Sequence, residues 1–218
     1  MLWRRVAPGS TPSVPDVIHR SSAEVPARGA LRHTGVMHPA LFYLPGDRLM
    51  QPELSAARLD GHVVEMGEGY IPADVVEGPA ARAAALRSLI LPGMAASGPS
   101  AAWIHGAGDR PPSPHHARRA VERRLRPSVT ARLVFHDSQL APGDVMQIGG
   151  MSVSMPLRTL IDLALGIHRE PALAFWATAL AEVSPELIPA AAEALNALNR
   201  VPGTRAAMAW LARQETGG

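Results

Sequence analysis

Hydrophobic and polar positions alternate most clearly between residues 145 and 154. Residues 145–148 and 151–153 are two short runs of strand-forming residues, separated by Gly149 and Gly150. Two consecutive glycines tolerate the positive φ angles of a tight hairpin turn. In the second run apolar residues alternate with serines, which predicts a strand with one buried and one exposed face. This region is therefore predicted to be a β-hairpin.

The same region continues into a predicted amphipathic helix. Pro156 suits the first helical turn, and either Ser154 or Met155 can act as the N-cap. Apolar residues recur at three- and four-residue spacing at Leu157, Leu160, Ile161 and Ala164. Such a stripe predicts that one side of the helix packs on a core.

Arg158 and Asp162 lie one turn apart on the other side of this helix. The helix dipole disfavours a cation in the first turn, and Arg before Asp is the weaker order for a helical ion pair. Local helix stability therefore does not account for Arg158. Two interpretations stay open: a partly buried ion pair that ties the helix to the hairpin, or a contact with a partner or substrate.

A second helix and hairpin are predicted nearer the N-terminus. Residues 49–61 favour a short helix, and residues 62–71 favour two strands joined at Gly67-Glu68-Gly69. A helix followed by a two-stranded wing forms the second half of a winged helix-turn-helix, a fold whose helix enters the major groove. The leading helices of that fold are missing, because the sequence before residue 49 is rich in proline. The segment is predicted to be a partial winged helix.

The charges of this segment include some that favour DNA binding and some that oppose it. Arg58 and His62 are its candidate DNA contacts, while Asp60, Glu65 and Glu68 would repel phosphate. Sequence-specific DNA binding and a truncated, purely structural wing both stay open.

The whole pattern predicts an α+β fold with three parts. Residues 1–46 form a disordered or irregular Pro-rich arm, residues 47–77 the partial winged helix, and residues 78–216 a domain of small antiparallel strands packed by helices. Within that domain, helices are predicted over residues 78–91 and 98–106 and through the C-terminal third. Trp103 is expected in the core.

Composition limits the classes of function. The chain has 218 residues, of which 47% are hydrophobic and 18% charged, and its net charge is only +2. Every one of its 21 basic residues is Arg, and it has no Cys, which excludes disulfides, thiolate metal sites and Cys nucleophiles. No apolar run is long enough to span a membrane without a proline or a charge. A soluble, cytoplasmic protein is expected.

The order of motifs resembles a known family. The strand GDVMQIGG, the strand MSVS and the helix start PLRTLIDLA, all within residues 140–164, look like the C-terminal domain of AbiEi-type antitoxins of type IV toxin–antitoxin systems, in their actinobacterial form. The segments GYIPAD, SAAWIHG and RLVFH fit the same order, so the resemblance covers roughly residues 49–181.

This resemblance implies a winged-helix transcriptional regulator with two partners. Such an antitoxin represses its own operon by binding operator DNA, and it counteracts a nucleotidyltransferase-like toxin encoded beside it. The alternative is a degenerate relative that no longer binds DNA and acts as a protein-interaction module. The resemblance implies no cofactor and no membrane partner, and the oligomeric state stays open.

An arginine cluster is the strongest electrostatic feature of the sequence. Its members are Arg118, Arg119, Arg123, Arg124 and Arg126. An alternating strand over residues 117–125 would place several of them on one exposed face. Contact with DNA, contact with an acidic toxin surface, and a merely solvated strand and loop all stay open.

Enzymatic and metal sites find little support. Four histidines, His105, His115, His116 and His136, lie near Asp109 and Asp137, but no pair has the helical spacing of metal ligands. No G-x-S-x-G elbow or phosphate-binding glycine loop occurs. A metal-dependent nuclease is a minor alternative, because Asp144 and Asp162 lie apart in the sequence and the chain has no Lys. The sequence predicts a protein that is not an enzyme and binds no metal.

Overall fold

A computed structural model describes residues 42–127, 130–198 and 200–216. The first half of this structure contains α1 (Gln51–Leu59), β1 (Val63–Met66), β2 (Gly69–Pro72), α2 (Pro79–Ala85), β3 (Met94–Ala96), α3 (Gly98–Ile104) and β4 (His115–Arg119). The second half contains β5 (Leu133–Gln139), β6 (Val145–Ile148), β7 (Met151–Ser154), α4 (Pro156–Gly166), α5 (Leu173–Val183), α6 (Leu187–Asn196) and α7 (Thr204–Thr216).

The helix α1 and the hairpin β1–β2 form a small unit with its own core. Leu54 of α1 is fully buried against Val63 and Tyr70 of the hairpin. Tyr43 extends this unit, because its backbone exchanges two hydrogen bonds of 2.9 Å with that of Tyr70. The end of the predicted arm therefore packs on the hairpin, while residues 1–41 of that arm lie outside the described residues. The domain boundaries at residues 46 and 77 remain predictions.

The main sheet has five strands in the order β5-β4-β3-β7-β6. The α+β class is confirmed, but the sheet is mixed rather than wholly antiparallel: β4 pairs in parallel with β5, and β3 with β7. Parallel neighbours need a long crossover connection, which residues 120–132 supply between β4 and β5. The predicted hairpin is β6–β7, and its two turn glycines have φ angles of 56° and 77°.

The core of the main domain consists of two hydrophobic clusters that meet at α3. One packs α2 and α3 against the strands and includes Trp103, which is 1% exposed as the sequence predicted. The other joins α3 to the bundle of α4, α5, α6 and α7. In α4 the predicted stripe is confirmed, since Leu160, Ile161 and Ala164 are buried and Leu157 packs beside them.

Two predicted elements are shorter than expected because tertiary contacts override their periodicity. The helix predicted over residues 78–91 ends at Ala85, and the following backbone bonds in tighter turns, such as Leu86 N–H to the Ala83 carbonyl at 3.1 Å. These turns bury Leu86 and let the Arg87 guanidinium reach the Gly149 carbonyl in the hairpin.

The strand predicted over residues 117–125 ends at Arg119. There the Ala120 N–H donates to the Gly93 carbonyl at 2.8 Å, and the Arg119 guanidinium bonds to the carbonyls of Val121 and Glu122. These bonds turn the chain away from the sheet. Arg123, Arg124 and Arg126 consequently lie on a loop and not on a strand face.

Candidate functional site: paired and exposed arginines

A buried charge network joins α4 to β4 and to the turn before β6. Asp144 is the last residue of a short 3₁₀ turn before β6, while Arg158 and Asp162 lie on α4. Arg158 Nη1 is 3.1 Å from Asp144 Oδ2, and Arg158 Nη2 is 2.9 Å from Asp162 Oδ1. Arg158 Nε also donates to Asp162 Oδ2 at 3.0 Å. One guanidinium thus connects the helix with the start of the hairpin.

Arg158 is only 9% exposed, which is unusual for an arginine. Burial alone would lower its pKa, but Asp162 and Asp144 offset this, and the pKa of Arg158 is raised above its ordinary value. A buried cation is tolerated when its donors are paired in this way. The arrangement is that of a structural ion pair, and it leaves little of the guanidinium open to a partner.

The first two members of the arginine cluster are also engaged within the fold. Arg118 Nη1 lies 2.6 Å from Asp162 Oδ2, so that Asp162 accepts from both Arg118 and Arg158. Arg119 Nε lies 3.1 Å from Asp137 Oδ1 and donates to the Asp137 carbonyl. Both arginine side chains are 14% exposed. Their charge is therefore largely compensated by neighbouring protein atoms.

The other three members of the cluster are exposed. Arg123, Arg124 and Arg126 follow β4 on the loop that crosses to β5, and the Arg124 side chain is 86% exposed. Its only ion pair among the described residues is a distant one, with Nε 3.9 Å from Asp137 Oδ2. Leu125 packs against the core between them and fixes the position of the loop. The structure thus separates the sequence cluster into two paired and three exposed cations.

The two candidate DNA contacts in the helix–hairpin unit are exposed as well. Arg58 lies in the last turn of α1, and His62 immediately precedes β1. Asp60 and Glu65, which would repel phosphate, are exposed near them. Glu68 is different, because its carboxylate pairs with Arg132 and lies 3.5 Å from His115 Nε2. One of the three acidic charges counted against DNA binding is therefore neutralised.

Two histidines meet on the exposed side of β4 and β5. His116 Nδ1 lies 3.4 Å from His136 Nε2, and the ring centroids are 5.7 Å apart. Burial, followed by repulsion from His136 and His115, lowers the pKa of His116 to about 4. Burial and the nearby Arg118 charge also lower the pKa of His136. Both rings are therefore neutral at pH 7.

The other two candidate histidines, His105 at the end of α3 and His115 on β4, are buried or partly buried. Burial lowers the pKa of His105, whose Nε2 lies 2.7 Å from the Ser154 carbonyl, and it also lowers the pKa of His115. Among the described residues, no group of three or more His, Cys, Asp or Glu side chains is arranged to hold a metal ion.

A groove beside the histidine pair was missed by sequence reasoning. It consists of two adjoining cavities of about 540 and 280 Å³, both of which are lined by Pro99, His116, Glu170 and Leu173. The larger one continues along the proline-rich loop 109–114 to Phe175 and Trp176 on α5, and the smaller one reaches Arg118, His136 and Asp162. Residues from five separate segments meet here, and no spacing in the sequence indicates that they do. The role of Asp144 as a partner of Arg158 was missed for the same reason.

In the part of the chain that the structure describes, no helix is both long and apolar enough to cross a membrane.

Comparisons with known proteins identify the family. Neither the curated proteins nor the solved structures gave a match. The family model described as AbiEi antitoxin C-terminal domain matches residues 94–211, from the first residue of β3 into α7, which is more than half of the 218 residues. The matched region contains the five-stranded sheet, the buried charge network and the whole arginine cluster, and the chain belongs to the AbiEi antitoxin family.

Proposed function

We propose that this chain is the DNA-binding antitoxin of a type IV toxin–antitoxin system. It represses its own operon and counteracts a nucleotidyltransferase-like toxin encoded beside it. The antitoxin role follows from the family domain over residues 94–211. The family domain does not specify DNA binding or the kind of toxin. These two parts of the proposal rest on the distribution of charge and on the resemblance of the motifs.

The observation that carries the DNA-binding proposal is the exposed loop of Arg123, Arg124 and Arg126. Guanidinium groups bind phosphate through paired donors. When an exposed cation of the protein contacts a phosphate of the DNA backbone, it displaces a counterion condensed on the DNA, and this release favours binding. Arg118 and Arg119 are assigned no main DNA contact, because their donors already bond to Asp162 and Asp137. Arg58 and His62 supply a second exposed contact region at the helix–hairpin unit.

A gel-shift experiment with the full chain tests this proposal. The probe is the DNA immediately upstream of its own operon, and the control is a shuffled fragment of equal length and composition. We expect a shift of the upstream fragment at a protein concentration that leaves the shuffled fragment free, and a shift that weakens steeply with salt. The absence of any shift at low salt would rule out the repressor role.

Growth experiments test the toxin half of the proposal. The neighbouring gene is expressed alone and together with this chain in a host that lacks both. We expect its product to slow growth and this chain to restore it. A neighbour without a nucleotidyltransferase-like sequence, or a growth defect that this chain leaves unchanged, would contradict the assignment.

A second function, a protein-interaction module that has lost DNA binding, is favoured by one observation. Asp60 and Glu65 remain exposed beside Arg58 and His62 and weaken the attraction of that unit for phosphate. Restored growth without any DNA shift would select this alternative.

A further inference from the structure

The loop that carries the exposed arginines is fixed at its start by the side chain of Arg119. Arg119 is the last residue of β4, and its Nη1 donates to the carbonyl of Val121 at 2.9 Å and to that of Glu122. Its Nε lies 3.1 Å from the carbonyl oxygen of Asp137 on β5 and 3.1 Å from Oδ1 of the same residue. One guanidinium therefore connects the first residues of the loop with the neighbouring strand.

The acceptors on β5 are presented by a β-bulge. In the pairing of β4 with β5, residues 137 and 138 are skipped between the partners of Arg118 and Arg119. A bulge disrupts the ladder of backbone hydrogen bonds and redirects side chains near it. Arg118 Nε donates to the Ser138 carbonyl at 3.3 Å, and Arg119 Nε donates to the Asp137 carbonyl. The two arginine side chains thus take up the carbonyls of the bulge, which fixes the direction of the Arg119 guanidinium.

The same loop is also anchored in the core. The side chain of Leu125 packs against the cluster around Trp103. The side chains of Leu125 and Val121 approach Gly93 so closely that a Cβ on this glycine would lie 3.4 Å from each. The Gly93 carbonyl accepts from the Ala120 N–H at 2.8 Å. The exposed arginines are therefore carried by a backbone segment with both polar and apolar attachments.

A loop that is fixed before it meets a ligand binds more tightly than a flexible one. A flexible loop loses conformational entropy when the ligand orders it, whereas a preorganised loop has already lost that entropy on folding. The apparent dissociation constant rises in inverse proportion to the fraction of molecules in the binding-competent conformation. A residue that keeps the loop in this conformation therefore contributes to affinity without touching the ligand.

We propose that Arg119 is a positioning residue for DNA binding. It contacts no phosphate itself, and it holds residues 120–127 in the conformation that presents Arg123, Arg124 and Arg126 to the DNA backbone. This inference rests on the proposed DNA-binding function. A lysine in place of Arg119 would keep the charge but lose most of the bonds, because a compact ammonium cannot span acceptors on two segments as a planar guanidinium does. The loss of Arg119 is a loss of geometry and not of charge.

The operon DNA affinity of Arg119→Lys, measured over a salt series, tests this inference. We expect affinity about fivefold below that of the parent, because only about one-fifth of the molecules then keep the positioned loop. The slope of log affinity against log salt should not change, since the phosphate contacts in the complex are the same. Arg124→Lys makes the same exchange at an exposed arginine and is the matched control. It should stay within about twofold of the parent, because lysine also binds phosphate. Equal affinity of Arg119→Lys and the parent would overturn the proposal.

Limited proteolysis tests the positioning without DNA. Trypsin cleaves after the three exposed arginines when the loop opens, so the cleavage rate at these sites, resolved by mass spectrometry, reports the open population. We expect this rate to rise about tenfold or more in Arg119→Lys, while cleavage after Arg205 on α7 keeps its rate. Equal loop cleavage in variant and parent would overturn the proposal. A parent that binds no operon DNA would refute the proposed function, whereas proteolysis decides separately whether Arg119 holds the loop.

A second variant, Leu125→Ala, keeps the test decisive if Arg119→Lys does not fold. It loosens the same loop through its apolar attachment and changes no charge. We expect operon affinity about threefold below the parent at an unchanged salt slope, together with faster loop cleavage. Urea denaturation first establishes that each variant is folded under the binding conditions. If Leu125→Ala opens the loop to trypsin and still binds DNA like the parent, DNA binding needs no positioned loop and the proposal is refuted.

Discussion

The arginines at the end of β4 and those on the loop after it are the same residue type in one short stretch, yet their environments are opposite. Arg118 and Arg119 have side chains that are 14% exposed and donate to Asp162, Asp137 and backbone carbonyls. Arg124, a few residues later, is 86% exposed. The charge of a cation that is paired inside the fold is compensated and attracts little else, whereas an exposed cation on the surface attracts phosphate. The arginine cluster of the sequence is therefore divided into compensated and exposed cations.

The largest effect is expected from removing Arg158, the most buried arginine of the described residues. Arg158→Met leaves Asp144 without its partner, whereas Asp162 keeps Arg118 at 2.6 Å, and a buried unpaired charge costs about 3–5 kcal/mol. We expect the free energy of unfolding, measured by urea denaturation at pH 7, to fall by that amount. Arg124→Met removes an exposed arginine of the same size and should stay within about 0.5 kcal/mol of the parent. A loss below about 1 kcal/mol for Arg158→Met would show that the network does not stabilise the fold.

Because the loop arginines are exposed, we expect their removal to weaken DNA binding and to leave folding unchanged. The triple variant Arg123→Gln/Arg124→Gln/Arg126→Gln should fold normally and lose operon DNA affinity on the order of 100-fold near 0.1 M salt, if all three arginines meet phosphates. The slope of log affinity against log salt should flatten by about 2.7, because each lost phosphate contact contributes about 0.9. Fluorescence anisotropy over a salt series measures both quantities.

Arg205→Gln serves as the control for this variant, since it removes an exposed cation on α7, outside the loop. It should leave the slope unchanged. An unchanged slope in the triple variant would remove the loop from the DNA-binding surface.

What the sequence could and could not predict follows from the range of the interactions. The β6–β7 hairpin and α4 were predictable, because Gly149-Gly150 and Pro156 act on their immediate neighbours and the apolar stripe repeats within the helix. The turns after Ala85 and the end of β4 at Arg119 were not, because Gly149 and Gly93 reach them from distant positions.

The candidate site was likewise predictable only where its interactions are local in the sequence. The Arg158–Asp162 spacing indicated a pair, and the cluster from Arg118 to Arg126 indicated a surface. Nothing local showed that Asp162 would be shared with Arg118, or that Asp144 would approach from the preceding turn. The charge that remains available on a surface depends on such long-range pairing, and sequence counting overestimates it.

A double-mutant cycle sharpens the assignment of Arg118 to the paired class. Arg118→Gln, Asp162→Asn and the double variant are compared by urea denaturation, with Arg158 left in place. Because the two side chains are partly buried and 2.6 Å apart, we expect a coupling energy of about 1–2 kcal/mol. A coupling near zero would place Arg118 with the exposed arginines, and its addition to the loop variant should then weaken DNA binding further.

The smallest expected effect concerns His116, which lies beside Arg118 on the same face of the sheet. The pKa of His116 is lowered to about 4 in the folded chain, while its value in the unfolded chain is about 6.5. Between these values the unfolded state binds more protons, so acid favours unfolding: the contribution of neutral His116 is fully present above pH 6.5 and is lost as the pH falls toward 4. Since the ring is partly exposed, we expect this to amount to about 1 kcal/mol between pH 7 and 4.5. His116→Gln should flatten the pH dependence of the unfolding free energy by that amount, as measured by urea denaturation over this pH range. A curve for His116→Gln that stays parallel to that of the parent would show that protonation of His116 does not contribute to the pH dependence of stability.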